Sequence, residues 1–136
     1  MLLGTDERHQ DIVRKVELVA RQQPGTAVHI RSLCRTCGVS ERTLRNAFHS
    51  IHGKTPYRHL RELRMLEARQ ALLSATSPNT TVTSVATRFG FYELGRFSVE
   101  YRLAFGERPS ETLRRVSAGC PSYLHGHAGV EVSAVA

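Results

Sequence analysis

Four polar residues, Arg42, Arg45, Asn46 and His49, recur at spacings of three, one and three. On a helix that spacing puts them along one stripe, because surface neighbours lie three and four residues apart. Their chemistry suits nucleic-acid bases: an arginine fork matches a guanine edge and an asparagine amide matches adenine. His49, at the far end of the stripe, suits a phosphate better. On an unremarkable helix the same stripe is an ordinary solvated face. A second set points to metal or redox chemistry instead: Cys34-x2-Cys37 followed by His49-x2-His52 has the outline of a zinc finger. Its 11 intervening residues and two-residue histidine gap fall short of the finger pattern, which has about 12 and then 3 to 5. The cysteines also fall on a helix and its end rather than on a hairpin, so Cys34 reads better as a small packing residue at a helix crossing. His125-Gly-His127 supplies two nitrogens, too few for a metal site. No nucleophile–base pairing, phosphate-cradling loop or carboxylate pair stands out, so no enzyme activity, cofactor or resident metal is expected.

The elements that position these residues are all helical. Ile12, Val13, Val16, Val19 and Ala20 recur at helical spacing between Asp6 and Gln23, and Pro24-Gly25 stops that helix. A short helix from about His29 to Cys37 ends at Gly38. Ser40 is a suitable N-cap for the next, whose apolar side is Leu44, Ala47, Phe48 and Ile51 and whose end is Gly53. Thr55-Pro56 sets a capping hydroxyl before proline at the first helical position. That helix runs to about Leu73 or Ser74, with Leu60, Leu63, Leu66, Ala68 and Leu72 expected inward. Beyond the turn at Ser77-Pro78-Asn79-Thr80, Val82, Val85 and Ala86 lead to Gly90. Leu94, Phe97, Tyr101, Ala104 and Phe105 then mark a longer helix ending at Gly106, and Pro109-Ser110 opens a last one through Arg115. The expected fold is all-α, with subdomains at residues 6–74 and 75–116 and a flexible tail at 117–136.

Composition narrows the partners. The 136 residues carry a net charge of +7, and 17 of the 19 basic residues are arginine. All 19 lie between Asp6 and Val116 against 11 acids, whereas the tail contributes only Glu131. Arginine's planar fork suits phosphates and guanine edges, which favours nucleic acid, although a genome of high G+C content enriches arginine too. No apolar run approaches the roughly 18 to 20 residues that span a bilayer, and the N-terminus lacks the pattern of a secretory signal. Three cysteines are too few for a disulfide scaffold. A reduced, cytoplasmic setting and no membrane partner are therefore expected.

The chain also repeats itself. Leu33-Cys34 and Gly38 match Val85-Ala86 and Gly90 at an offset of 52; after the glycine the offset becomes 53. Leu44 then matches Phe97, Phe48 matches Tyr101, Gly53 matches Gly106, Pro56 matches Pro109, and Leu60-Arg61 matches Leu113-Arg114. Each copy has the form of a helix-turn-helix: a small residue where helices cross, a glycine turn four residues on, then a longer helix.

These residues resemble the DNA-binding domain of the AraC/XylS family of bacterial transcription regulators. The carriers are Cys37-Gly-Val-Ser-Glu-Arg-Thr-Leu-Arg-Asn-Ala-Phe48, Gly53-Lys-Thr-Pro-Tyr57, and the stretch from Val82 to Leu113 with Val85-Ala-Thr-Arg-Phe-Gly-Phe91 and Phe105-Gly-Glu-Arg-Pro-Ser110. The resemblance implies seven helices, two helix-turn-helix units joined by a long helix, and a recognition helix from each unit in the major groove of double-stranded DNA. It implies monomeric docking on an asymmetric promoter site and activation through RNA polymerase. The rival reading is a helical protein-interaction or zinc/redox-sensing module built on Cys34, Cys37, His49 and His52. Whether the chain is a portion of a longer regulator or a small single-domain member stays open.

On this reading Arg42, Arg45 and Asn46 contact bases. The offset of 53 carries their stripe onto Gly95, Ser98, Val99 and Arg102, a chemically different face. There Val99 suits a thymine methyl, Arg96 can swing into the groove beside Gly95, and Ser98 and Arg102 suit phosphates. Further phosphate contacts are expected from Ser40, Thr43, His49, Tyr57, Arg61, Thr83 and Arg108. Arg58, Arg61 and Arg64 read equally as a solvated face or as partners for Glu62 and Glu67. Sequence specificity is expected mainly from the first unit, and affinity and shape readout from the second.

Overall fold

A computed structural model describes residues 4–118. The expected tail from Ala118's successor onward, including His125 and His127, lies outside the described residues. Among the described residues seven helices follow one another: α1 (Thr5–Gln22), α2 (Ile30–Cys37), α3 (Glu41–His52), α4 (Pro56–Leu73), α5 (Val82–Arg88), α6 (Leu94–Phe105) and α7 (Pro109–Ser117). Among the described residues there is no strand, so the all-α expectation holds. α7 extends through Ser117, two residues past its expected end.

The repeat is preserved in backbone hydrogen bonds. Gly38 lies in the left-handed region (φ 69°) and lets the Val39 amide reach the Cys34 carbonyl at 3.0 Å. In the second copy Gly90 (φ 85°) does the same, with Phe91 donating to Ala86 at 2.9 Å. A side chain at either glycine would be strained, which explains why both turns use one. The extra residue of the second copy appears where expected: α3 starts three residues after Gly38 and α6 four after Gly90. Gly53 and Gly106 then close α3 and α6 in left-handed caps, and Pro56 and Pro109 open the helices that follow.

The chain divides into two compact units between Arg64 and Met65, inside α4, not at residue 74. The first core joins Val13, Val16 and Ala20 of α1 to Leu33, Cys34, Cys37, Leu44, Ala47, Phe48 and Leu60. The second joins Met65, Ala68 and Leu72 to Val85, Ala86, Phe91, Phe97 and Tyr101. Helix α4 thus gives Leu60 to one core and Met65 to the other. The buried positions Leu60, Arg64, Ala68 and Leu72 follow one another at four-residue spacing, and Leu66, expected inward, is 39% exposed. Leu94, the first of the apolar residues that marked α6, lies at the surface at its start.

Two arginines of α4 are buried because each satisfies carbonyls or charges that burial would otherwise strand. Arg64 donates to the carbonyls of Ala20, Gln23 and Thr26 where α1 ends, so it is not a solvated residue. In the second unit Arg69 donates to the Tyr101 hydroxyl at 3.4 Å, lies over the Phe105 ring, and faces Glu107 at 3.6 Å. Thr112 donates its hydroxyl proton to Glu107, so Tyr101 must donate to Thr112 across 2.8 Å. Arg115 completes the network on the other carboxylate oxygen.

Candidate nucleic-acid interface

Helix α3 is held rigidly beneath its exposed stripe. Leu44, Ala47 and Phe48 are fully buried, while Arg42, Arg45, Asn46 and His49 are all exposed on the opposite side. Ser40 caps the helix by accepting the Thr43 amide at 3.1 Å, and its hydroxyl donates to Thr43 Oγ1 at 2.9 Å. Two candidate phosphate ligands thereby sit at the N-terminus of α3, where helix amides and dipole favour an anion. Tyr57 is exposed on the first turn of α4, and Arg61 is half-buried on the next.

The equivalent stripe on α6 is largely exposed but carries few polar side chains. Gly95, Val99 and Arg102 face solvent, with Val99 60% exposed; Ser98 is half-buried. A Cβ added at Gly95 would meet nothing within 4 Å, so packing does not demand the glycine. Arg96 forms an i,i+4 pair with Glu100 at 3.5 Å. Such exposed pairs contribute about 0.2–1 kcal/mol, too little to hold the guanidinium away from a better partner. The α6 N-cap, Glu93, makes no side-chain capping bond, in contrast to Ser40. Arg108 is exposed before α7, where Glu111 accepts its amide proton at 3.1 Å. Thr83 is exposed in the first turn of α5, but the cap is Thr81, whose hydroxyl accepts the Ser84 amide at 3.0 Å while Ser84 accepts the Thr81 amide at 3.1 Å. Sequence spacing alone did not separate Thr81 from Thr83, since both are threonines at the start of the same helix.

The Cys2His2 set does not assemble. Cys34 and Cys37 are buried in the first core and His49 is exposed on the far stripe of α3. Burial pushes both thiols above their ordinary pKa, with Glu41 adding to the effect at Cys34 and Lys15 opposing it at Cys37. A protonated thiol is a poor metal ligand and a poor nucleophile. Among the described residues the group that does converge is Glu17, His52 and His59. Glu17 and His59 lay outside every motif in the sequence; no spacing rule links residues 42 positions apart.

Comparison with known proteins bears on what two such units do. The family model for a helix-turn-helix domain matches residues 33–115. Over 95 residues the chain is 44% identical to a probable thc operon regulatory protein of Rhodococcus erythropolis, covering 70% of this chain and 28% of that protein. It is 40% identical over 89 residues to the XylDLEGF operon transcriptional activator of Pseudomonas putida, covering 65% of this chain and 27% of that protein. A crystal structure of a probable AraC family transcriptional regulator from Rhodopseudomonas palustris shares 36% identity with a TM-score of 0.67, over 77% of this chain and 96% of that one. The chain belongs to the AraC/XylS family of helix-turn-helix DNA-binding domains. It spans under a third of the length of the two regulators just named. All of α1 precedes the family match, yet Val13, Val16 and Ala20 are part of the first core. In AraC/XylS terms α3 and α6 are the two recognition helices, and no helix among the described residues is long and apolar enough to cross a membrane.

Proposed function

We propose that this chain is the DNA-reading part of a transcriptional activator, that it docks as a monomer on an asymmetric promoter site, and that it divides the work unequally between its recognition helices. The observation that carries this reading is the contrast between two equivalent stripes: exposed Arg42, Arg45, Asn46 and His49 on α3, and exposed Gly95, Val99 and Arg102 with half-buried Ser98 on α6. The α3 stripe has bidentate groups for base edges, with Arg45 and Arg42 on guanine and Asn46 on adenine. Val99 offers a methyl surface to thymine and Arg96 a mobile fork. Phosphates engage Ser40, Thr43, His49 and Tyr57 around the first unit and Thr83, Ser98, Arg102 and Arg108 around the second, with Arg61 between them in sequence. These contacts position the protein without reading sequence. The relatives named as operon activators support a role in recruiting RNA polymerase, and a cytoplasmic location is consistent with that role.

Selection of binding sites from random duplexes with the purified chain at fixed, near-physiological salt tests the division of labour. The expected consensus has one half-site of strong base preference and a second that is weakly specified. Equally strong preference in both half-sites refutes the asymmetry, and no enrichment at all refutes sequence-specific binding.

A further inference from the structure

Glu17 of α1, His52 in the last turn of α3 and His59 near the start of α4 bring one carboxylate oxygen and two imidazole nitrogens within 4.8 Å of one another. All three belong to the first unit. Glu17 Oε2 lies 2.7 Å from His59 Nε2 and 3.5 Å from His52 Nε2. The first distance is a good hydrogen bond and the second is too long for one. His52 Nε2 is nevertheless buried and makes no hydrogen bond. The two imidazole rings stack with centroids 3.8 Å apart and planes inclined by 13°. One carboxylate oxygen therefore serves two imidazoles and satisfies one. A divalent cation in the same space satisfies all three groups at once.

We propose that Glu17, His52 and His59 form a zinc-binding site, with three protein ligands and a fourth position open to water. Two histidines and a glutamate are an established zinc ligand set. Zinc requires neutral imidazoles, each offering a ring nitrogen of the kind that His52 and His59 bring beside Glu17. Closing on the ion opens the Glu17–His59 separation to roughly 3.3 Å, the spacing of ligands about 2.0–2.1 Å from a tetrahedral centre. It also splays the stacked rings so that each lone pair points at the ion. His52 and Glu17, with side chains 30% and 25% exposed, have room for this, and His59 at 12% is the fixed anchor. The nearby Lys54 ammonium opposes a cation, but Glu62 holds it at 2.9 Å. An ion here ties α1 to the C-terminal turn of the helix that carries Arg42, Arg45 and Asn46.

The test is zinc titration of the metal-free full chain by calorimetry, with thermal unfolding and a cobalt(II) spectrum alongside. The site requires one zinc per chain, a rise in Tm of about 10 °C at a hundredfold excess over Kd, and a cobalt complex without thiolate charge-transfer bands. Glu17→Gln and His52→Gln should each weaken binding at least tenfold while keeping the metal-free helical signal; His52 is partly exposed, so its variant decides if the other fails to fold. A variant lacking both His125 and His127 should bind as the parent does. The proposal is overturned by the absence of stoichiometric binding, by a thiolate band, by loss of binding in the His125/His127 variant, or by undiminished binding in the folded variants.

Discussion

Replacing Glu107 with glutamine keeps the side chain's shape and removes the charge that neutralises the second core's buried arginine. Arg69 has a side chain only 4% exposed, and its Nη1 lies 3.6 Å from the Glu107 carboxylate. Glu107 also accepts hydrogen bonds from Thr112 and Arg115 on its two separate oxygens. Glutamine offers one acceptor oxygen, so one donor must then face an amide NH2. Removing one partner of a buried ion pair costs about 3–5 kcal/mol. Because the side chains of Glu107 and Arg115 are 17% and 22% exposed, water relieves part of the penalty, and the expected loss is about 2–3 kcal/mol. Urea unfolding followed by far-UV circular dichroism measures it; with slopes of about 1–3 kcal/mol per molar, the midpoint should fall by roughly 1–3 M. The control is the same change at Glu62, whose pair with Lys54 is shorter at 2.9 Å but 40% and 33% exposed. Exposed pairs are worth about 0.2–1 kcal/mol, so Glu62→Gln should scarcely move the midpoint. Equal losses in the two variants would refute the reasoning that burial, rather than contact distance, sets the strength of these pairs.

Acid unfolding gives a second view of Glu107. Burial alone would raise its pKa, but hydrogen bonds from Arg115 and Thr112 and the charges of Arg115 and Arg69 hold it below the ordinary glutamate value. A group depressed in the folded state contributes stability that is fully present above its unfolded pKa and is lost as pH falls through the folded one. Stability of the parent should therefore decline through and below the usual glutamate range, and Glu107→Gln should flatten that limb of a urea-midpoint-against-pH curve. Gly95→Ala should stabilise the fold by up to about 1 kcal/mol, since glycine is costly in a helix and the added methyl meets nothing. If α6 approaches DNA closely there, the same variant binds more weakly; gain or parity in affinity by fluorescence anisotropy counts against that approach. Arg45→Ala should cost about 1–3 kcal/mol on the selected site and relax one base pair, whereas Arg102→Ala should weaken all duplexes alike and reduce the salt slope by about 0.9. Identical specificity profiles for the two variants would contradict the assigned roles.

The helices were legible because their boundaries are marked by local chemistry. Gly38, Gly53 and Gly106 stop helices through left-handed caps, Ser40 accepts its own helix's amide, and Pro56 and Pro109 open helices. Each of these signals acts within four residues. The exposed stripe of α3 was legible for the same reason, since Leu44, Ala47 and Phe48 define the opposite face by period alone. The inward set expected of α4 failed at Leu66. Met65 is buried in place of Leu66, and Arg64 and Arg69 are buried where carbonyls, a hydroxyl and a carboxylate from other elements meet them.

By itself, the sequence determined seven helices, a duplicated helix-turn-helix and an arginine-bearing stripe on the first recognition helix, because caps, turns and periodicity are properties of neighbouring residues. Tertiary structure alone decided which charges are spent inside the fold. Arg64 is committed to the carbonyls at the end of α1, Arg69 to Glu107 and Tyr101, and Glu17 to two histidines on other helices. Those pairings join residues 32 to 44 positions apart, and no local spacing encodes them. Their physical origin is desolvation: a charge carried into a core must meet whatever donor or acceptor the packing brings there.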